Sequence, residues 1–345
     1  MRILIDILHP AHVHFFRNFC EVMAGRGHEL TITARDKDRS VDLLEQYGLP
    51  YEQISVQKSG GVGLVTEMTW RTRALMRIMD RFEPDVLTGI MGPSIALAGK
   101  IKQVPAVVFY DTEFARQTNW FVYPIAHSVV TPDCYQGKVR GNHRRYAGYH
   151  ELAYLHPNRF QPDPEKLAAF GVAPDEPYSI VRFVSWQAVH DRRETGFTAA
   201  QKRDLVATLG RHGRVLISSE GALPDDLVPL EVTGPVEDIH HLLAHAQMIV
   251  GESATMSSEA AVLGVPAVMI ATTGRGYTDD QERRYELVRH FTDDQYDRAV
   301  TTVEKILVSS PREFGRLARE RLLADKIDVT QWMVDYFEST FADVS

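Results

Sequence analysis

The run GESATMSSEAAVLGVPAVMI, residues 251–270, constrains this chain more than any other stretch. An apolar strand (248–250) ends in the small-residue loop Gly251-Glu252-Ser253-Ala254-Thr255. A helix follows, stopped by Gly264, and Pro266 leads into the next apolar run. Small residues let a ligand approach the backbone. The N–H groups of a helix's first turn, with the helix dipole behind them, suit phosphate oxygens. Gly251, Ser253, Ala254, Thr255 and Met256 are therefore candidate contacts for a phosphate-bearing ligand. Glu259, one turn further in, can accept hydrogen bonds from sugar hydroxyls. An ordinary strand-loop-helix capped by a serine would look the same from this loop alone.

The same alternation fills the chain. Residues 2–8, 28–34, 85–90, 105–109 and 127–131 read as strands, with helices at 13–25, 40–47 and 64–82. The second half has strands at 178–184 and 214–218 and helices at 197–210, 236–245 and 281–290. From 293 it reads as helical to a closing helix at 329–341. Alternating strands and helices mark doubly wound α/β domains, whose ligands sit beyond the carboxyl ends of the strands. A chain of 345 residues is long for one core and natural for two. The expected division is 1–160, 175–325 and a last helix at 326–345, with the proline-rich, aperiodic 146–171 as the crossing.

Net charge is −8, which argues against nucleic-acid partners. Residues 1–150 hold 18 Lys+Arg and 15 Asp+Glu, +3; the rest holds 20 and 31, −11. Two cysteines, Cys20 and Cys134, form no disulfide framework and fit a reducing cytoplasm. No apolar run reaches the roughly 20 residues that span a bilayer. On the 64–82 helix, Trp70, Arg73, Arg77 and Arg81 share a face. That face is either solvated or a peripheral contact with the anionic inner surface of the membrane, and the basic cluster 138–145 points the same way.

The loop after the first strand, His9-Pro10-Ala11-His12-Val13-His14, holds three histidines in six residues. Their spacing matches no familiar zinc pattern, and no metal is expected. A histidine here caps the helix, grips a substrate or acts as a general base, and His12 and His14 are the candidates. Asp111 and Glu113 follow another strand, and two carboxylates so placed are expensive to hold in a cleft without a use. Ser94, opening a helix after Gly92-Pro93, either caps or binds a ligand oxygen.

Glu259, four small or apolar residues and then Gly-Val-Pro resembles the second domain of GT-B glycosyltransferases. It is similar to the peptidoglycan N-acetylglucosaminyltransferase and the UDP-N-acetylglucosamine 2-epimerases. The resemblance implies that Ser253, Ala254 and Thr255 hold a nucleotide diphosphate and Glu259 the ribose. The relatives' loop after the first strand of that domain is glycine-rich. Here it reads Arg182-Phe183-Val184-Ser185-Trp186-Gln187-Ala188-Val189-His190, so Arg182, Ser185, Trp186 and His190 are the candidate contacts. Arg275, in a glycine-flanked loop, would reach a phosphate or a sugar carboxylate. The epimerases place a glutamate where this chain has Glu113, but their Pro-Glu-Glu-x-Asn-Arg segment is absent. The segments HPAHVHFF, DTEFA, RFVSWQAVHD and GESATMSSEAAVLG together resemble the DUF354 family, related to both groups.

The expected fold is α/β and GT-B-like: two doubly wound Rossmann-like domains facing across a cleft, the C-terminal helix crossing back to the first. The expected activity is cofactor-independent and metal-independent transfer of a sugar from a nucleotide-sugar donor, UDP-linked, to a saccharide or lipid-linked acceptor. The process would be cell-surface polysaccharide or glycolipid assembly. His12, His14, Asp111 or Glu113 would take the acceptor's proton. A 2-epimerase using Asp111 and Glu113, or a non-catalytic nucleotide-sugar binder, are the alternatives.

Overall fold

The computed structural model describes residues 1–36, 39–56, 61–184 and 196–342, with the backbone alone at 61–65 and 116–117. The chain divides into two compact units, Met1–Arg159 with Ile327–Ser345, and Phe160–Lys326.

The first unit alternates β1 (Arg2–Ile7), α1 (Pro10–Gly25), β2 (Glu29–Asp36), α2 (Ser40–Gln46), β3 (Tyr51–Val56), α3 (Gly61–Phe82), β4 (Val86–Ile90) and α4 (Pro93–Lys102). It continues with β5 (Ala106–Phe109), α5 (Arg116–Val122), β6 (Ser128–Pro132), β7 (His143–Tyr146) and α6 (Leu152–Leu155). All seven strands are parallel, in the order β3-β2-β1-β4-β5-β6-β7. The central strands are buried on both faces, which is why they read as unbroken apolar runs. On one face Leu4, Leu87, Val108 and Tyr110 pack with Leu75 and Met79 of α3 and Ile95 and Ala98 of α4.

Several boundaries differ from the sequence expectation. Helix α1 begins at Pro10 rather than 13, because His9 caps it: Ala11 N–H donates to His9 Nδ1 at 3.2 Å. Proline at the first helical position loses no hydrogen bond. Strands β3 and β7 went unread, since YEQISV mixes polar and apolar residues without an unbroken apolar run and HRRY is short and basic. Both are edge strands, where one side meets water. Residues 55–56 end β3 and residues 61–63 begin α3, with 57–60 outside the described residues.

The second unit runs β8 (Tyr178–Phe183), α7 (Ala199–Gly210), β9 (Arg214–Ser219), α8 (Ile239–His245), β10 (Ile249–Gly251), α9 (Ala254–Leu263) and β11 (Ala267–Ile270). Then come α10 (Gly276–Tyr285), β12 (Val288–Phe291), α11 (Tyr296–Val308) and α12 (Pro311–Asp325). Its five strands are parallel, ordered β12-β11-β10-β8-β9. The helix expected over 281–290 stops at Tyr285: Glu286 turns left-handed (φ 60°), and β12 follows. Gly251 lets β10 lie close to β8, since a Cβ there would stand 2.1 Å from the Arg182 carbonyl oxygen.

The last helix, α13 (Val329–Phe341), belongs to the first unit and packs on α1. Phe337 meets Phe19 edge-on at 5.0 Å, and Trp332 lies against Tyr146 at 5.2 Å. No helix among the described residues is long and apolar enough to cross a membrane. Trp70, Arg73 and Arg77 are exposed on α3, while Arg81 pairs with Glu52.

Candidate functional site

In the first unit the candidates lie just past the carboxyl ends of β1 and β5. Asp111 stands two residues beyond β5, and its Oδ2 is 3.2 Å from Nδ1 of His150, a buried histidine between β7 and α6. Thr112 donates to the other oxygen at 2.9 Å. Burial pushes the Asp111 carboxyl up. The charge and hydrogen bond of His150, then Thr112 and His12, pull harder and hold it at about 2. The His150 ring is clasped by Phe15 (4.5 Å) and Tyr146 (6.4 Å, nearly parallel), and its Nε2 is enclosed without a hydrogen-bond partner among the described residues. His150 can therefore orient the carboxylate, but it does not itself open to solvent.

His12 is half-buried, close enough for its charge to act on Asp111. The Leu8 N–H donates to its Nδ1 at 3.2 Å, so a neutral ring carries its proton on Nε2 and presents a donor there. His14 lies about 200° further round α1. It is buried, stacked on Tyr154 at 5.3 Å with Nδ1 3.3 Å from the Tyr47 hydroxyl. The structure thus gathers His12, Asp111 and His150, and seats His14 in the packing between α1, α2 and α6. Glu113 Oε1 accepts from Gln136 N–H at 3.2 Å. Burial raises the Tyr123 and Tyr135 hydroxyls above their ordinary pKa and the charge of Glu113 adds a smaller push; the two hydroxyls share a 2.6 Å hydrogen bond. Ser94 Oγ donates to the Met68 carbonyl (3.4 Å), joining α4 to α3.

A second polar group, unread in the sequence, lies under the ends of β1–β3. Arg71 of α3 pairs with Asp6 of β1 at 2.5 Å, both almost wholly buried, and Thr33 donates to the same Asp6 oxygen at 2.7 Å. One turn earlier on α3, Glu67 binds Arg35 of β2 at 2.7 Å.

In the second unit the residues gather round the β10–α9 loop. Ser253 caps α9, its Oγ accepting from Met256 N–H at 3.2 Å, and the N–H groups of Ala254 and Thr255 fall outside the helix's own ladder. Residues 253–256 are half-buried, whereas Gly251 is fully packed in the sheet. Glu259 is buried and bound through Oε1 to His240 Nε2 of α8 at 3.0 Å. Arg182 projects from β8 to Ser218 Oγ (2.7 Å) and the Glu220 carboxylate. Arg275 bends back onto its own loop, donating to Thr273 Oγ1 (3.1 Å) and the Gly274 carbonyl (3.0 Å). Glu252 is a further missed residue. It is buried and accepts from Val184 N–H (2.8 Å) and Phe197 N–H (3.1 Å), joining the two flanks of 185–195. Ser185, Trp186 and His190 lie outside the described residues. Among the described residues, no three His, Cys, Asp or Glu side chains gather as a metal-binding set.

A model for the family described as "Protein of unknown function (DUF354)" matches residues 1–184. Uncharacterized protein MJ0665 of Methanocaldococcus jannaschii is 23% identical over 280 residues, covering 76% of this chain and 80% of its own. Among solved structures, UDP-GlcNAc 2-epimerase from Neisseria meningitidis bound to UDP-GlcNAc is similar at TM-score 0.68 with 11% identity, over 99% of this chain and 100% of that one. Spinosyn forosaminyltransferase SpnP matches at TM-score 0.64 with 14% identity, over 99% of each chain. The fold is therefore GT-B: two Rossmann-like domains, shared by glycosyltransferases and UDP-GlcNAc 2-epimerases.

Proposed function

The chain belongs to the DUF354 family, and on that premise we propose that it transfers a sugar from a nucleotide-sugar donor to an acceptor hydroxyl. The donor is UDP-linked and the process is cell-surface polysaccharide or glycolipid assembly. The observation that carries this reading is Asp111, a carboxylate just past a central strand and held ionised by His150 beside His12. Ionised at neutral pH, the carboxylate has no proton to give and can accept one, although so low a pKa makes it a weak base. It takes the acceptor's hydroxyl proton as that oxygen bonds to the anomeric carbon and the bond to the diphosphate breaks. An acceptor hydroxyl gains acidity as that bond forms, so the low pKa does not bar the transfer. His12, with its proton on Nε2, holds the acceptor by donating to it.

On the donor side, the first turn of α9 receives the diphosphate, and Glu259, steadied by His240, accepts from the ribose hydroxyls. Arg182 and Arg275 offset the charge that builds on the leaving diphosphate, exchanging their present partners for it.

The test is a proton NMR time course of the purified protein with UDP-N-acetylglucosamine and no acceptor, read with saturation transfer. Saturation transfer to the nucleotide without a new anomeric signal is the expected outcome. A new anomeric signal with the nucleotide intact makes the protein an epimerase and ends the transferase reading. No saturation transfer from this or any other nucleotide sugar ends both.

A further inference from the structure

At the amino ends of β10 and β11, the second unit carries a groove of about 230 Å3. Ala246, Val265 and Pro266, which precede those strands, line it together with Gly264 at the end of α9. The ends of α8 and α9 add to this side, and the facing wall is α12, whose Arg312, Arg316 and Arg319 share one helical face. Helix α12 comes this close because Gly315 meets Gly264: a Cβ at Gly315 would stand 1.8 Å from the Gly264 carbonyl oxygen.

Among the described residues, two of the three arginines have no carboxylate partner. Arg312 Nη2 donates to the His245 carbonyl at 2.7 Å and Arg319 Nε to the Val262 carbonyl at 2.9 Å, so each caps a helix C-terminus. Capping occupies one N–H of the five on each guanidinium. Arg319 Nη2 is enclosed and makes no hydrogen bond among the described residues. Arg316 pairs with Glu320 at 2.5 Å, both ends largely exposed. Two caps and one surface pair leave most of the N–H groups of the three guanidiniums uncommitted, and they leave a buried N–H of Arg319 unmatched. The groove is smaller than the roughly 300 Å3 at which pockets for drug-sized ligands begin. It suits a compact anion, not a nucleotide sugar.

We propose that this groove binds a phosphate group through Arg312, Arg316 and Arg319, apart from the Ser253 loop at the other end of β10. Two sources supply the same chemistry: a free phosphate or pyrophosphate, and the headgroup of an anionic lipid. The inference stands whether or not the protein handles nucleotide sugars.

Isothermal titration of the full chain with inorganic phosphate and with pyrophosphate, in the presence of saturating UDP, is compared between wild type, R312Q and R316Q. R316Q disturbs no helix cap, so its folding is not at stake. Cosedimentation with phosphatidic acid vesicles, against phosphatidylcholine alone, forms the second arm. Loss of one charge-assisted contact should weaken binding by about tenfold or more in each variant. Weakened binding of the free anions identifies a soluble ligand, and weakened vesicle binding alone identifies a lipid headgroup. Binding to neither probe, or affinities unchanged in both variants, overturns the proposal.

Discussion

Asp111 is the residue on which most turns. A carboxyl held near 2 in the folded chain, against an ordinary value of 3.8, stabilises the fold fully above about pH 4 and loses that contribution as pH falls toward 2. The shift corresponds to about 2 kcal/mol. Urea unfolding should show D111N less stable than wild type by that order at neutral pH, with the gap shrunk by roughly half at pH 3. A gap that stays constant to pH 3 would assign the loss to packing instead. In the proposed reaction D111N loses about a hundredfold or more in rate, as expected for a missing general base. H150A, by contrast, lets burial dominate, and the Asp111 carboxyl then titrates upward, which side-chain carbon NMR resolves. Asp111 was legible because a carboxylate just past a buried strand has few cheap explanations. His150 was not, because only the β6–β7 connection and the turn after it bring its ring to Asp111. His12 and His14 looked equivalent until the helix start at Pro10 fixed which side of α1 each one occupies.

At the scale of elements, α3 shows where amphipathic reading stops. Leu75 and Met79 sit in the core, and the opposite face of Trp70, Arg73 and Arg77, legible as one stripe of the helix, is exposed. Glu67 and Arg71 carry the same kinds of charge as that face, yet both are buried, because their partners Arg35 and Asp6 come from strands far away in sequence. Such pairs are invisible to helical periodicity. Their energetics are asymmetric: R71M leaves the Asp6 carboxylate buried without its partner and should cost about 3–5 kcal/mol. The double variant D6L/R71M removes both charges and should recover most of that loss, since an apolar pair of similar volume is often as stable as the ion pair. Urea denaturation of the two singles and the double closes the cycle. A double variant no more stable than R71M would mean that Thr33 and the neighbouring strand ends depend on the charge itself.

At the scale of the whole molecule, the strand-helix alternation made two parallel α/β domains legible, because parallel strands must be joined by crossovers long enough to hold a helix. What the alternation leaves out is chain order against spatial unit: the first unit is finished by the last residues of the chain. Helix α13 seats Val329, Met333, Val334, Phe337 and Phe341 against that unit, all buried. At roughly 2 kcal/mol for each fully buried apolar side chain, the helix contributes on the order of 10 kcal/mol, an upper figure. That is as large as the net stability of an ordinary domain. Polar ties add to it, with Arg159 on Asp328 at 2.9 Å and Thr330 on the Ala153 carbonyl at 2.7 Å. A chain cut after Lys326 should therefore lose cooperative unfolding of the first unit while the second, which holds its own sheet and helices, keeps its transition. Hydrogen exchange separates the two: amides of β1, β4 and β5 should become unprotected, and those of β8, β10 and β11 should stay protected. Supplying residues 327–345 as a separate peptide should restore protection to the first set. Full protection of β1, β4 and β5 in the cut chain would show that α1 and the sheet hold that unit together without the closing helix.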